Sequence, residues 1–178
     1  MKNLVFFTML AFVIIFSSCE TANIEDAVQE ETTLKSGNNV KNFRAHLTGD
    51  QEVPLPNSSL AQGQANFQLS KDGTELSYKL IVANLEDLHM AHIHLAPAGS
   101  NGGVVVWLYP SAPPAVMLPG TTNGILAEGV IKAGNLRGAL ANKPLSALID
   151  AMSAGNTYVN VHTMLFPGGE IRGQISGN

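Results

Sequence analysis

The chain is predicted to be all-β, an antiparallel Greek-key-like sandwich or barrel with one short helix near residues 143–154. Three observations carry this. Apolar residues recur with period two, the runs are short, and the turns between them are rich in Gly and Pro. Phe43, Ala45 and Leu47 share one face of the first run, with Arg44 and His46 on the other. Gln64 to Leu69 alternates cleanly, Lys71-Asp72-Gly73-Thr74 makes a turn, and Glu75 to Val82 returns, which is a hairpin. Further strands are expected at 91–95, 104–108, 124–131, 158–163 and 170–175. A long loop is expected over 110–122, which holds four prolines and a glycine. The helix has Asn142 as its cap, Pro144 near its first turn, an apolar stripe of Leu145, Leu148, Ile149 and Met152, and Gly155 at its end. That stripe reads as a helix covering one end of the sheet.

The first 39 residues read differently. Lys2 precedes an apolar stretch from Leu4 to Phe16, broken only by Thr8, and Ser17-Ser18-Cys19 follows. This is the order of a secretory signal peptide. Thirteen helical residues span about 20 Å, too short for roughly 30 Å of hydrocarbon. Residues 1–18 are therefore expected to be a leader. Cys19 is the only cysteine, so no intrachain disulfide can form. Phe16-Ser17-Ser18-Cys19 resembles the bacterial lipobox, with Phe16 where Leu is usual. The resemblance implies cleavage before Cys19, acylation of its thiol and new amino group, and a membrane partner outside the cytoplasm. Several acyl chains anchor stably where one is marginal. The expected location is the outer membrane, on its periplasmic or its surface face.

Residues 19–39 read as a flexible acidic tether. Glu20 to Glu31 holds five carboxylates and no Lys or Arg, and Thr32 to Asn39 is small and polar. Loss of Lys2 with the leader leaves nine Lys and Arg against 14 Asp and Glu, a net charge of −5. Without a basic patch, nucleic acid is excluded as a partner. Residues 40–178 form one domain of ordinary size, large enough to bury its own core without disulfides.

Three segments could carry chemistry. In Ala91-His92-Ile93-His94-Leu95, Ile93 and Leu95 point to the core and both histidines away from it. In Tyr158 to Thr163, Val159 and Val161 face the core, with Tyr158, Asn160 and His162 opposite. In Glu170 to Ile175, Ile171 and Ile175 go inward, with Glu170, Arg172 and Gln174 outward. Residues 164–169 would join the last two strands as a hairpin, which brings His162 near Glu170 or Arg172. His92, His94 and His162 would then supply three imidazoles from one outward face, a donor set for copper or zinc. The competing reading is structural: the histidines hydrogen-bond to backbone, to Asn160 and to Glu170 and hold loops in place, in a polar network that takes in Arg172 and His89. His89 is expected in a loop, where it could be a fourth ligand, and His46 on the surface. Glu170 beside His162 could form an acid–base pair, but Arg172 on the same face favours a structural ion pair or hydrogen bond. No Gly-x-Ser-x-Gly elbow is present, so a non-enzyme is expected.

Together the segments resemble the CHRD domain, the module named from chordin. The match begins at Phe43-x-Ala45-x-Leu47-x-Gly49-x-Gln51-Glu52-Val53-Pro54 and continues through Gly63-x-Ala65-x-Phe67, Asp72-Gly73 and Leu76-x-Tyr78. Its most specific parts are Ala91-His92-Ile93-His94, Tyr158 to Thr163, and Pro167-x-Gly169-Glu170-Ile171-Arg172-Gly173-Gln174-Ile175. The resemblance covers residues 42–176 and implies a β-sandwich in a microbial exported protein. In animal relatives the module belongs to extracellular regulators that bind growth factors, a partner not carried over here. The family offers no agreed catalytic residues to transfer. The His-x-His strand is also similar to the copper strand of copper-zinc superoxide dismutases, although that enzyme's bridging histidine and zinc-binding aspartate are not evident. The leading expectation is a lipid-anchored, non-catalytic envelope module that binds an envelope protein or glycan. The alternative is a copper- or zinc-binding protein using His92, His94 and His162.

Overall fold

Alternating side chains put Phe43, Ala45 and Leu47 into a core, and the strand that carries them is β1 (Asn42–Thr48). The computed structural model describes residues 41–177; the expected leader and tether lie outside the described residues. β2 (Gln62–Leu69) pairs antiparallel with β1 in continuous register, from Asn42 opposite Gln68 to Thr48 opposite Gln62. The Asp72–Gly73 turn follows. Gly73 has φ 72°, and the Asp72 carboxylate accepts from the Ser70 hydroxyl and from the Thr74 N–H and hydroxyl.

β3 (Leu76–Leu95) runs for 20 residues and organises the sheet. The two runs expected at 75–82 and 91–95 are one strand. Its alternation fails between them because the chain bends there, at Asn84 (φ 59°) and Asp87 (φ 47°). Asn and Asp tolerate this left-handed backbone better than other residues with side chains. The first half of β3 pairs with β2 and the second half with β6 (Thr157–Thr163). β6 pairs with β7 (Ile171–Gln174), and β7 returns to β1 through Thr48 opposite Arg172. The path β2-β1-β7-β6-β3 closes on itself through the β2–β3 pairing, so the antiparallel sheet is barrel-like.

On the far edge of β3 lie β4 (Gly103–Tyr109) and β5 (Leu118–Ile131). β5 begins six residues before the expected start, inside the stretch expected as a loop. Leu118 opposite Leu88 sets that start. A short β8 (Ser176–Gly177) adds to β1.

Helix α1 (Leu145–Ser153) lays Leu145, Leu148, Ile149 and Met152 into the core, as its stripe predicts. Gly155 (φ 70°) follows its end. Asn142 is not the cap. It sits at φ 60°, and Pro144 occupies the N-cap position with no side-chain bond to the helix. Leu47, Leu76, Leu80, Ile93, Val159, Val161, Ile171 and Ile175 are fully buried inside the barrel.

Candidate metal centre

The register of three strands sets the site. Across β3, β6 and β7, His92 lies opposite Asn160, and Asn160 opposite Arg172. One row along, His94 lies opposite Tyr158 and Tyr158 opposite Gln174; Met90 lies opposite His162. His162 is thus a diagonal neighbour of His92, within reach of its ring.

These side chains share the face away from the barrel core, as alternation predicts, but that face is not exposed. His92, Asn160, His162, Glu170 and Arg172 are all at most 6% accessible. The outward face is covered, and two loops are the reason. The segment after β1 brings Asn57 Nδ2 to the Glu170 carbonyl (2.9 Å), Ser59 Oγ to Glu170 Oε1 (2.6 Å) and Glu52 to Asn160. The loop between β3 and β4 brings the Ser100 carbonyl and Asn101 Oδ1 to the Arg172 guanidinium (2.7 and 2.9 Å). A strand pattern reveals which face a residue takes, not what covers that face.

Of the ion pair or hydrogen bond expected at this face, Glu170 makes hydrogen bonds, and no ion pair joins it to Arg172. Glu170 accepts hydroxyls from Ser59 and Thr163, while Arg172 stacks 3.5 Å over the Tyr158 ring. Tyr158 in turn stacks on His94, with centroids 4.8 Å apart and planes 9° from parallel. Glu170 is not hydrogen-bonded to His162 either, so the acid–base pair is absent. The clefts described, such as one of about 500 Å³ lined by Phe43, Phe67 and Tyr78, do not include His92, His94 or His162.

The three histidines converge. One ring nitrogen from each of His92, His94 and His162 lies within 4.8 Å of the other two. His94 Nδ1 is 2.9 Å from the Gly102 carbonyl, and His162 Nδ1 is 3.0 Å from the Pro167 carbonyl. A carbonyl only accepts, so both Nδ1 atoms carry the proton and both Nε2 atoms carry the lone pair, that of His94 without a partner. His92 Nδ1 lies 3.3 Å from His162 Nε2 and therefore donates to it, which leaves His92 Nε2 bare. The Nε2 atoms of His92 and His94 are buried without a hydrogen-bond partner among the described residues.

Carbonyl-anchored Nδ1–H groups are the usual outer support of metal-binding histidines. Two nitrogens bound tetrahedrally at 2.0–2.1 Å sit about 3.4 Å apart, so the cluster must contract slightly around an ion.

The electrostatics favour neutral rings. Burial, then the neighbouring His162, His94 and His89, push His92 down to about 3. Burial pushes His162 down to about 4 against its bond to the Pro167 carbonyl, and it lowers His94 as well. Neutral imidazoles need not lose a proton to bind a metal.

His89 is not in a loop but in β3, where a register shift between Leu88 and Met90 marks a bulge. The extra residue breaks the alternation, and its ring lies 6.3 Å from that of His162. His46 is exposed, as expected. Sequence reasoning missed Trp107 and Glu52. Trp107 of β4 pairs with His92, their ring centroids 4.3 Å apart. Glu52 comes from the loop over the site, and its carboxyl is pushed up to about 7 by burial, against the pull of Arg172.

These shifts predict how the metal-free domain responds to pH. Folded His92 and His162 refuse protons that the unfolded chain takes up near pH 6.5, so stability is lost as pH falls from 6.5 toward 4. Glu52 acts oppositely, because its folded form keeps a proton until about pH 7 while the unfolded chain loses it near 4.5. The histidines, His94 included, outweigh the one carboxyl, so net stability falls as pH drops through this range. The melting temperature in chelator is expected to peak between pH 6 and 7 and to fall steadily toward pH 4.5. A flat profile over that range would contradict it.

The CHRD domain family model matches residues 43–175. No curated protein and no solved structure matches the chain. The match spans β1 through Ile175 and takes in all three histidines and both roofing loops; the chain belongs to the CHRD domain family.

Proposed function

We propose that this is an exported, lipid-anchored protein of a bacterial cell envelope whose domain is a non-catalytic module that holds one copper or zinc ion on His92, His94 and His162. The observation that carries the reading is the convergence of three neutral imidazoles, His92 and His162 buried and His94 half-buried, with ring nitrogens within 4.8 Å and two of the rings anchored through Nδ1 on carbonyls. An all-nitrogen donor set with no thiolate suits Zn²⁺ or Cu²⁺. Family membership is consistent with a non-catalytic role.

Trp107 is the chain's single tryptophan and lies against His92, which supplies the assay. Titrating the chelator-stripped chain with Cu²⁺ should quench its fluorescence to saturation at one equivalent. Zn²⁺ should be retained at one ion per chain by elemental analysis. Unchanged fluorescence and no retained ion at micromolar metal would end the reading.

The anchor rests on the sequence alone, on Cys19 after a short apolar run. Cys19→Ala is expected to move the chain from the membrane to the soluble fraction and to abolish fatty-acid labelling. Continued sedimentation with membranes would argue against a lipid at that residue.

A further inference from the structure

The layer that buries the histidines contains a second pair of unpartnered atoms. Asn160 Nδ2 donates to Glu52 Oε2 at 3.3 Å. The remaining oxygens of the two groups, Glu52 Oε1 and Asn160 Oδ1, are both buried and have no partner among the described residues. They face one point. A Cβ placed on Gly169 would fall 2.7 Å from Glu52 Oε1 and closer still to the Asn160 amide, so only glycine, here at φ 135°, leaves room for them. Two oxygen acceptors aimed together are unfavourable unless one carries a hydrogen.

We propose that Glu52 is a neutral carboxylic acid in a cyclic pair with the Asn160 carboxamide, Oε1–H donating to Oδ1 while Nδ2–H donates to Oε2, and that this acid supplies the counter-charge when a cation occupies the histidines. The second half rests on the metal reading above; the first does not. Both orphaned oxygens are satisfied by one added hydrogen.

The surroundings agree. Glu52 is 6% accessible, and burial pushes its carboxyl up to about 7. Arg172 from β7, the Val53 N–H and the Asn160 amide all pull the other way, and burial outweighs them. The other acid in the layer, Glu170, is bound at both oxygens by the Ser59 and Thr163 hydroxyls and makes no bond to Asn160. Asn160 lies opposite His92 in register, so the acid sits one residue from the candidate site. With neutral imidazoles and a neutral acid, the only unpaired charge added on metal binding is the cation's. Its field favours ionisation of Glu52, whose proton leaves to solvent and whose carboxylate then offsets one of the two positive charges.

The full-length chain tests this in two steps. In the metal-free protein, ¹³C NMR of glutamate carboxyls, assigned with Glu52→Gln, should show Glu52 titrating near pH 7. A midpoint at or below the ordinary carboxyl range would overturn the acid–amide pair. Cu²⁺ is then added at pH 6 in weak buffer. The wild-type chain should release one proton per ion bound. Glu52→Gln should release none and bind about tenfold more weakly, while Asn160 keeps its partner through the new amide. Equal proton release from both chains would overturn the counter-charge role. If neither chain binds copper, the metal reading and the counter-charge role fail together, and the carboxyl titration alone decides the pair.

Discussion

Replacing Gly173 with alanine is expected to cost the domain about 3 kcal/mol or more, a large share of the stability of an ordinary domain. Gly173 lies in β7, where the barrel closes against β1. A Cβ there would collide with the His46 carbonyl and come within 3.2 Å of Leu47 Cα. These are backbone atoms of a paired strand, so no side chain can swing aside. Relief requires β1 and β7 to separate, which breaks the closure at Thr48 opposite Arg172 and opens a core that contains Leu47 and Ile171. Urea unfolding should show the midpoint falling by about 1 M or more at unchanged slope. Gly168→Ala is the control: a Cβ there meets nothing within 4 Å, and a change under about 0.5 kcal/mol is expected. A Gly173→Ala protein as stable as that control would show that β1 and β7 do not approach as described.

The second large effect concerns the histidines. His94→Gln and His162→Gln are each expected to weaken Cu²⁺ binding by about 100-fold or more, some 3 kcal/mol, because each removes one of three nitrogens. Glutamine keeps a polar group near the Gly102 or Pro167 carbonyl, which limits structural damage. His46→Gln, at an exposed position away from the site, should change nothing. A purely structural network makes a different prediction: the variants would lower the melting temperature, but copper would raise no one's. A real site stabilises by about 2.7 kcal/mol when the free ion is at 100 times its dissociation constant. Copper should therefore raise the melting temperature of the wild-type chain and leave His94→Gln unmoved. An equal rise in both would place the bound ion elsewhere.

The two glycine and histidine cases show how legibility divides. The His-x-His run could be read directly, because period two places His92 and His94 together whatever the strand's neighbours. That His162 joins them needed the pairing of β3 with β6, which the spacing suggests and the register supplies. The covering of this face could not be read, since the loops that reach Glu170 and Arg172 do so through Asn57, Ser59, Ser100 and Asn101, polar residues with no periodic signal. The same limit explains Arg172. Its neighbour on the same face, Glu170, is the obvious partner in sequence, yet the loops offer Arg172 a carbonyl and an amide and leave Glu170 to two hydroxyls. Glu52 was visible only as part of an opening motif, and nothing local marks a carboxyl that will be buried 108 positions away against Asn160.

Sequence by itself determined the all-β class, the core faces of β1, β6, β7 and the His-x-His half of β3, the stripe of α1 and the family, because these follow from short-range periodicity and the order of motifs. Tertiary structure decided that two runs form the single bent strand β3, that the sheet closes, and that the polar face is roofed. Closure and burial are long-range. They depend on which strand edges meet and on the loops that cross them, and the entropy of closing such loops leaves no mark on the local pattern of residues. Gly173 carries both lessons: the motif announces a glycine, and only the crossing of β1 shows why no other residue fits.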